Sequence, residues 1–161
     1  MAFWKRKRLL EPGARAPEFR LPLLDGGEIS LGEITANGPA LFVFFKVTCP
    51  VCQLTLPCLE RIHAGSLPIY AISQNDPERT REFNREFGVT FPALLDTEES
   101  GFPVSDAFGI SSVPTMFLVE SDGTISRVCE GWRKTEIEWL GDKAGVRPFA
   151  PTDNVPAWKA G

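Results

Sequence analysis

Long apolar runs are missing from this sequence. No stretch of its 161 residues approaches the ~20 apolar residues that a membrane-spanning helix needs. The basic cluster Lys5-Arg6-Lys7-Arg8 is followed by only Leu9-Leu10 before Glu11-Pro12-Gly13, whereas an export signal carries roughly 7–15 apolar residues at that point. Neither membrane nor export is therefore expected, and the expected compartment is cytoplasmic. An excess of positive charge is missing too. The 17 Lys+Arg against 21 Asp+Glu leave a net charge of -4, which gives no reason to expect nucleic acid or an anionic lipid surface as partner. There is no glycine-rich phosphate loop, since Gly26-Gly27 reads as a turn, and no internal repeat or low-complexity tract. Histidine occurs once, as His63, and cysteine four times. In a reducing compartment stable disulfides are uncommon, and a close cysteine pair is usually catalytic or metal-binding.

What is present fits one domain with a real core. Residues 1–16 mix basic residues with Pro and Gly and read as a flexible lead-in. Two short runs around Asp25-Gly26-Gly27 predict a hairpin. "ALFVFF" (40–45) is continuous rather than alternating, as expected of a central strand buried on both faces. From Cys49 to about Ala64 the apolar residues recur at helical spacing in two stripes, one of them Cys52, Leu56, Leu59 and His63. "LPIYAIS" (67–73) predicts a second buried strand, and Asp76-Pro77 the cap and first position of a helix that stops at Gly88. "FPALLD" is a further strand and "VSDAFG" a short helix. A hairpin follows through Ser121-Asp122-Gly123, and a last helix from about Lys134 to Lys143. The tail, 146–161, is proline-rich and expected to be extended. Strands alternating with helices, then a hairpin and a helix, indicate an α/β fold with a central mixed β-sheet flanked by helices.

"VTCPVCQL" (47–54) carries the chemistry. Cys49 falls where a strand ends and a helix begins, with Pro50 as a first-turn residue. The free amides and dipole of a helix N-terminus favour a thiolate there. Cys52 lies one turn further on, shielded with Leu56 and Leu59 yet within reach of the first sulfur. An exposed thiol backed by a sheltered one is what thiol–disulfide exchange requires: the first attacks, the second resolves the mixed disulfide. The same spacing also serves as half of a structural zinc site. Its partners would have to come from Cys58, Cys129 and His63, which supply no second close pair. Two inert buried thiols are the third possibility. Cys58 and Cys129 themselves lie in apolar patterns and read as packing.

"LFVFFKVTCPVCQLTLPCLERI" resembles the strand–Cys-x-x-Cys–helix unit of the thioredoxin superfamily. "FGISSVPTMFLVESDGTI" resembles its second signature, a Gly-Ile turn leading to a cis-proline, a strand and an Asp-Gly hairpin. Between them, "YAISQNDPERTREFNREFGVTFPALLD" is similar to the insertion of TlpA-like and peroxiredoxin-like (AhpC/TSA) members. The resemblance implies a thioredoxin-like domain over 17–145 with an N-terminal β-hairpin extension. It implies a thiol–disulfide oxidoreductase with Cys49 and Cys52 catalytic and a cis Val113-Pro114 bond. Pro114, flanked by Val113 and Thr115, shapes a substrate groove that Thr48 and Pro50 border from the cysteine side. The implied substrate is a protein or small-molecule disulfide, and the electron source a dithiol protein. No metal and no organic cofactor is implied.

The sequence departs from the family's pattern at several positions. Thr48 stands where thioredoxins carry tryptophan, Val43 where they bury an aspartate, and Thr55 where TlpA-like proteins commonly have glutamate. Peroxiredoxins place proline seven and threonine three residues before the peroxidatic cysteine; here these are Phe42 and Lys46. Lys46 remains a possible electrostatic helper for an anionic Cys49. The alternatives are therefore an AhpC/TSA antioxidant peroxidase with Cys49 as peroxidatic cysteine and, from another class, a non-catalytic zinc-binding or scaffold module.

Overall fold

The computed structural model describes residues 8–161. Lys5, Arg6 and Lys7 of the basic cluster, with the start of the expected lead-in, lie outside these residues. The central sheet has five strands: β3 (Ala40–Phe45), β4 (Ile69–Ser73), β5 (Ala93–Leu95), β6 (Thr115–Val119) and β7 (Ile125–Glu130), in spatial order β5-β4-β3-β6-β7. β3, β4 and β5 run parallel, whereas β6 and β7 are antiparallel to their neighbours, so the sheet is mixed. β3 lies at its centre, and side-chain alternation explains its unbroken apolar sequence. Leu41, Val43 and Phe45 enter one core, while Ala40, Phe42 and Phe44 enter the other.

The first core is closed by α2 (Pro50–His63), α3 (Pro77–Phe87) and α5 (Lys134–Ala144), through Leu56, Leu59, Ile62, Phe83, Ile137 and Leu140. α3 is capped as its sequence predicts. The Asp76 carboxylate accepts from the Arg79 amide at 2.9 Å, and Gly88 ends the helix with φ of +67°. The second core is closed by α4 (Pro103–Phe108) and by the N-terminal segment, with Phe19, Phe42, Phe108 and Phe117 in contact.

The predicted hairpin is β1 (Arg20–Pro22) with β2 (Glu28–Ser30), followed by a one-turn helix α1 (Leu31–Thr35). The hairpin borders the sheet edge, where the Leu24 amide donates to Ala93. From residue 8 the lead-in is hydrogen-bonded rather than free-standing. Leu10 donates to Phe108, Gly13 to Ile125 and Ala16 to Gly123. The tail is extended but returns to the body, where β9 (Trp158–Lys159) pairs with β8 (Trp132–Arg133). None of the described helices is long and apolar enough to cross a membrane.

Candidate active site

The loop from β3 to α2, residues 46–49, carries the site. It is pinned at Val47: the Val47 amide donates to Asn75 Oδ1 at 2.9 Å, and Gln53 Nε2 donates to the Val47 carbonyl at 3.0 Å. The Cys49 amide donates to the Lys46 carbonyl at 3.2 Å, which turns the chain so that Cys49 caps α2. Its Sγ accepts from the Cys52 amide at 3.2 Å, with Pro50 at the first helical position. A helix cap of this kind is ordinarily an oxygen acceptor. Here the acceptor is sulfur, and the bond gives a thiolate at Cys49 a partner.

Cys49 is half-exposed and Cys52 fully buried beneath it. Burial pushes the Cys52 thiol far above the ordinary thiol range, and the neighbouring Cys49 side chain adds to that; the Lys46 backbone and charge pull the other way. Cys52 is therefore a protonated thiol at neutral pH. Lys46, Thr48 and Pro50 are exposed around the pair.

Sixty-four residues away in sequence, the Val113 carbonyl accepts from the Cys49 thiol at 3.4 Å. The Val113-Pro114 bond is cis, as the resemblance implies, and Pro114 is buried beside the pair. Thr115 is also buried, its hydroxyl donating to the Ser112 carbonyl at 2.8 Å. It thus braces the proline loop from beneath instead of facing the groove. A cavity of about 200 Å³ opens next to Val113 between Lys46, Gln74, Phe102, Ser105 and Ser112.

The other candidate ligands are not brought to the pair. Cys129 lies on β7 and Cys58 on α2, both in the first core, and the His63 ring packs edge-on against Phe91. Burial pushes Cys129 up to about 11, with Glu136 adding to it, and burial raises Cys58 as well. Among the described residues no three His, Cys, Asp or Glu side chains gather as a metal site. Sequence reasoning missed Asn75 and Gln53, which hold the loop, and Gly131, whose amide donates to the Pro114 carbonyl at 2.8 Å. "SQND" and the polar residue after Cys52 were the available signals for the first two. Gly131 had none.

Residues 12–128 match the AhpC/TSA family. This chain belongs to that family. It is 32% identical over 134 residues to the thiol–disulfide oxidoreductase ResA of Halalkalibacterium halodurans, covering 80% of this chain and 74% of the relative. To the ResA of Bacillus subtilis it is 27% identical, covering 81% and 73%. Among solved structures, the thioredoxin domain of a thiol–disulfide oxidoreductase from Bacteroides vulgatus superposes with a TM-score of 0.73. It shares 21% identity and covers 83% of this chain and 97% of that one. A thiol:disulfide interchange protein from a Bacteroides species gives 0.72 at 19% identity, covering 84% and 91%. These likenesses establish the thioredoxin-like fold. Within the AhpC/TSA family the chain stands with the thiol–disulfide oxidoreductases, an enzyme class, and its close Cys49–Cys52 pair is consistent with their redox motif.

Proposed function

We propose that the reduced chain transfers two electrons to disulfides in proteins, with Cys49 as nucleophile and Cys52 as resolving thiol. The observation that carries this is the arrangement of the pair: a half-exposed sulfur held by a helix-start amide, with a buried, protonated thiol directly behind it. The Cys49 thiolate bonds to one substrate sulfur, and the other leaves as a thiolate that takes a proton from water. Cys52 then gives up its proton and attacks the Cys49 sulfur, breaking the mixed disulfide and releasing the second substrate thiol. Two electrons have passed to the substrate, and a Cys49–Cys52 disulfide remains. A cytoplasmic dithiol protein reduces it back.

The Lys46 charge favours the Cys52 thiolate as it forms, so on this reading Lys46 assists the resolving step. Peroxide turnover is the weaker reading. The residue seven before Cys49 is Phe42, buried in the second core, and the residue three before is the exposed Lys46. Neither supplies a hydroxyl to orient a peroxide, so Cys49 is expected to react with peroxide only about as fast as an ordinary reactive thiol.

Trapping tests the division of labour. Cys52→Ser is expected to accumulate mixed disulfides on Cys49, isolable under non-reducing conditions, whereas Cys49→Ser traps few. More partners on Cys49→Ser would reverse the roles. Fast, saturable peroxide turnover by the parent chain would make the peroxidase the better reading.

A further inference from the structure

The backbone edge beside Cys49 is already occupied by the chain itself. After α5 the tail crosses α2 and brings β9 onto β8, with Lys159 opposite Trp132 and Trp158 opposite Arg133. The backbone of 159–161 then passes over Gly131 and Val113. A Cβ added at Gly131 would stand 2.5 Å from the Lys159 carbonyl oxygen and 3.0 Å from the Gly161 nitrogen. One added at Gly161 would stand 2.5 Å from the Val113 carbonyl oxygen. That same Val113 oxygen accepts the Cys49 thiol. The tail thus lies one carbonyl away from the nucleophile, against the two backbone segments that an extended chain approaching Cys49 from this side would pair with.

Its hold weakens toward this point. Up to Ala157 the tail is anchored. Arg61 donates to the Pro148 carbonyl and pairs with Asp153, the Trp132 indole donates to Pro156 at 2.6 Å, and the Lys134 amide donates to Ala157 at 3.0 Å. Beyond Ala157 only the two-residue β8–β9 ladder follows. Among the described residues neither Ala160 nor Gly161 makes a backbone hydrogen bond. Trp158 is 59% exposed, so it contributes little burial to the pairing.

We propose that residues 158–161 are a displaceable strap over the strand-binding edge beside Cys49. An extended segment of a protein substrate takes the strap's place on β8 and Val113 before its disulfide reaches the sulfur, whereas a small disulfide does not need to. This rests on the reading of Cys49 as the attacking thiol. The apparent rate with a protein substrate is then scaled by the fraction of chains whose strap is open.

The test compares the parent with a variant ending at Ala157, which keeps the Pro156 and Ala157 anchors, and with Gly161→Ala. The second variant pushes the strap off Val113 without removing any residue, so a folding defect in the first does not decide the outcome. Reduction of insulin and of a small aromatic disulfide is followed for all three in the reduced state. Insulin reduction is expected to rise about fivefold in both variants, while the small disulfide changes less than about twofold. Unchanged insulin rates overturn the strap, and so does a fall, which would make the tail a wall of the groove. If the parent and both variants reduce neither disulfide, the exchange reading fails and the strap with it.

Discussion

At the scale of single residues, the four cysteines differ in what surrounds them, and pH should expose the difference. Cys129 takes no part in the proposed exchange, yet burial, with Glu136 beside it, pushes its thiol from the ordinary 9.0 to about 11. In the unfolded chain the same thiol ionises near 9.0. Between those values the native state binds more protons than the unfolded state, so the unfolding free energy falls as pH rises. The slope approaches about 1.4 kcal/mol per pH unit per thiol, and the stabilisation is complete below pH 9. Urea unfolding of the reduced protein between pH 8 and 11 is expected to show this loss. Cys129→Ala is expected to start lower at pH 8 because of the cavity it leaves, and then to fall less steeply. Parallel curves for the two proteins would contradict the buried, protonated state of Cys129. The chemical pair was legible in eight consecutive residues, because a strand end, a helix start and both sulfurs are local. The Val113 carbonyl that accepts from Cys49 was legible only through the resemblance, since it comes from 64 residues away.

At the scale of elements, legibility followed how far away the stabilising partners lie. β3 was readable because two buried faces demand an unbroken apolar run, and α3 because Asp76, Pro77 and Gly88 are local signals. The short α1 was missed, although Ser30 caps it by accepting from the Glu33 amide at 3.1 Å. β8 and β9 were missed because each is two residues long and needs a partner some 26 residues away. α4 shows the same limit from the other side. Its N-cap residue, Phe102, has a left-handed backbone and supplies no side-chain cap. Asp96, fully buried at the end of β5, does that work across space. Its carboxylate accepts from the Val104 amide at 3.1 Å, and from the Ser105 amide and hydroxyl at 2.7 Å each. Asp96→Ala would leave three buried donors unpaired and is expected to cost roughly 3 kcal/mol. Asp96→Asn keeps one accepting oxygen and should cost about half as much. Denaturant unfolding measures both. Equal losses, or a loss under about 1 kcal/mol for the alanine variant, would show that Asp96 does not hold α4 against the cavity beside Val113.

At the scale of the whole molecule, the sheet is a partition. One core forms against α2, α3 and α5 and another against α4 and the N-terminal segment, and the cysteine loop sits at the end of the strand that both cores share. The tail is a later layer laid over the first core. Its Val146, Phe149 and Val155 pack against that core, and Trp132 meets Phe149 with ring centroids 6.0 Å apart. The latch between tail and body is Arg61 on α2, which donates to the Pro148 carbonyl at 2.9 Å and to Asp153 at 3.1 Å. One turn before Arg61 lies Cys58, 6% exposed, close enough for both Arg61 and Asp153 to act on its charge. Cys58 therefore lies near the latch, and its alkylation is expected to report on tail opening. In protein whose Cys49 and Cys52 are joined by oxidation, Arg61→Ala is expected to speed alkylation of Cys58, read by peptide mapping, with Cys129 unchanged. Arg61 and Asp153 are a largely exposed pair, so the global unfolding free energy should shift by less than about 1 kcal/mol. Faster labelling at nearly constant stability is the signature of a local opening as opposed to partial unfolding. If Cys58 labels no faster, Arg61 is not the latch. If Cys58 and Cys129 speed up together, the substitution has loosened the core itself, and the tail does not move independently of the body.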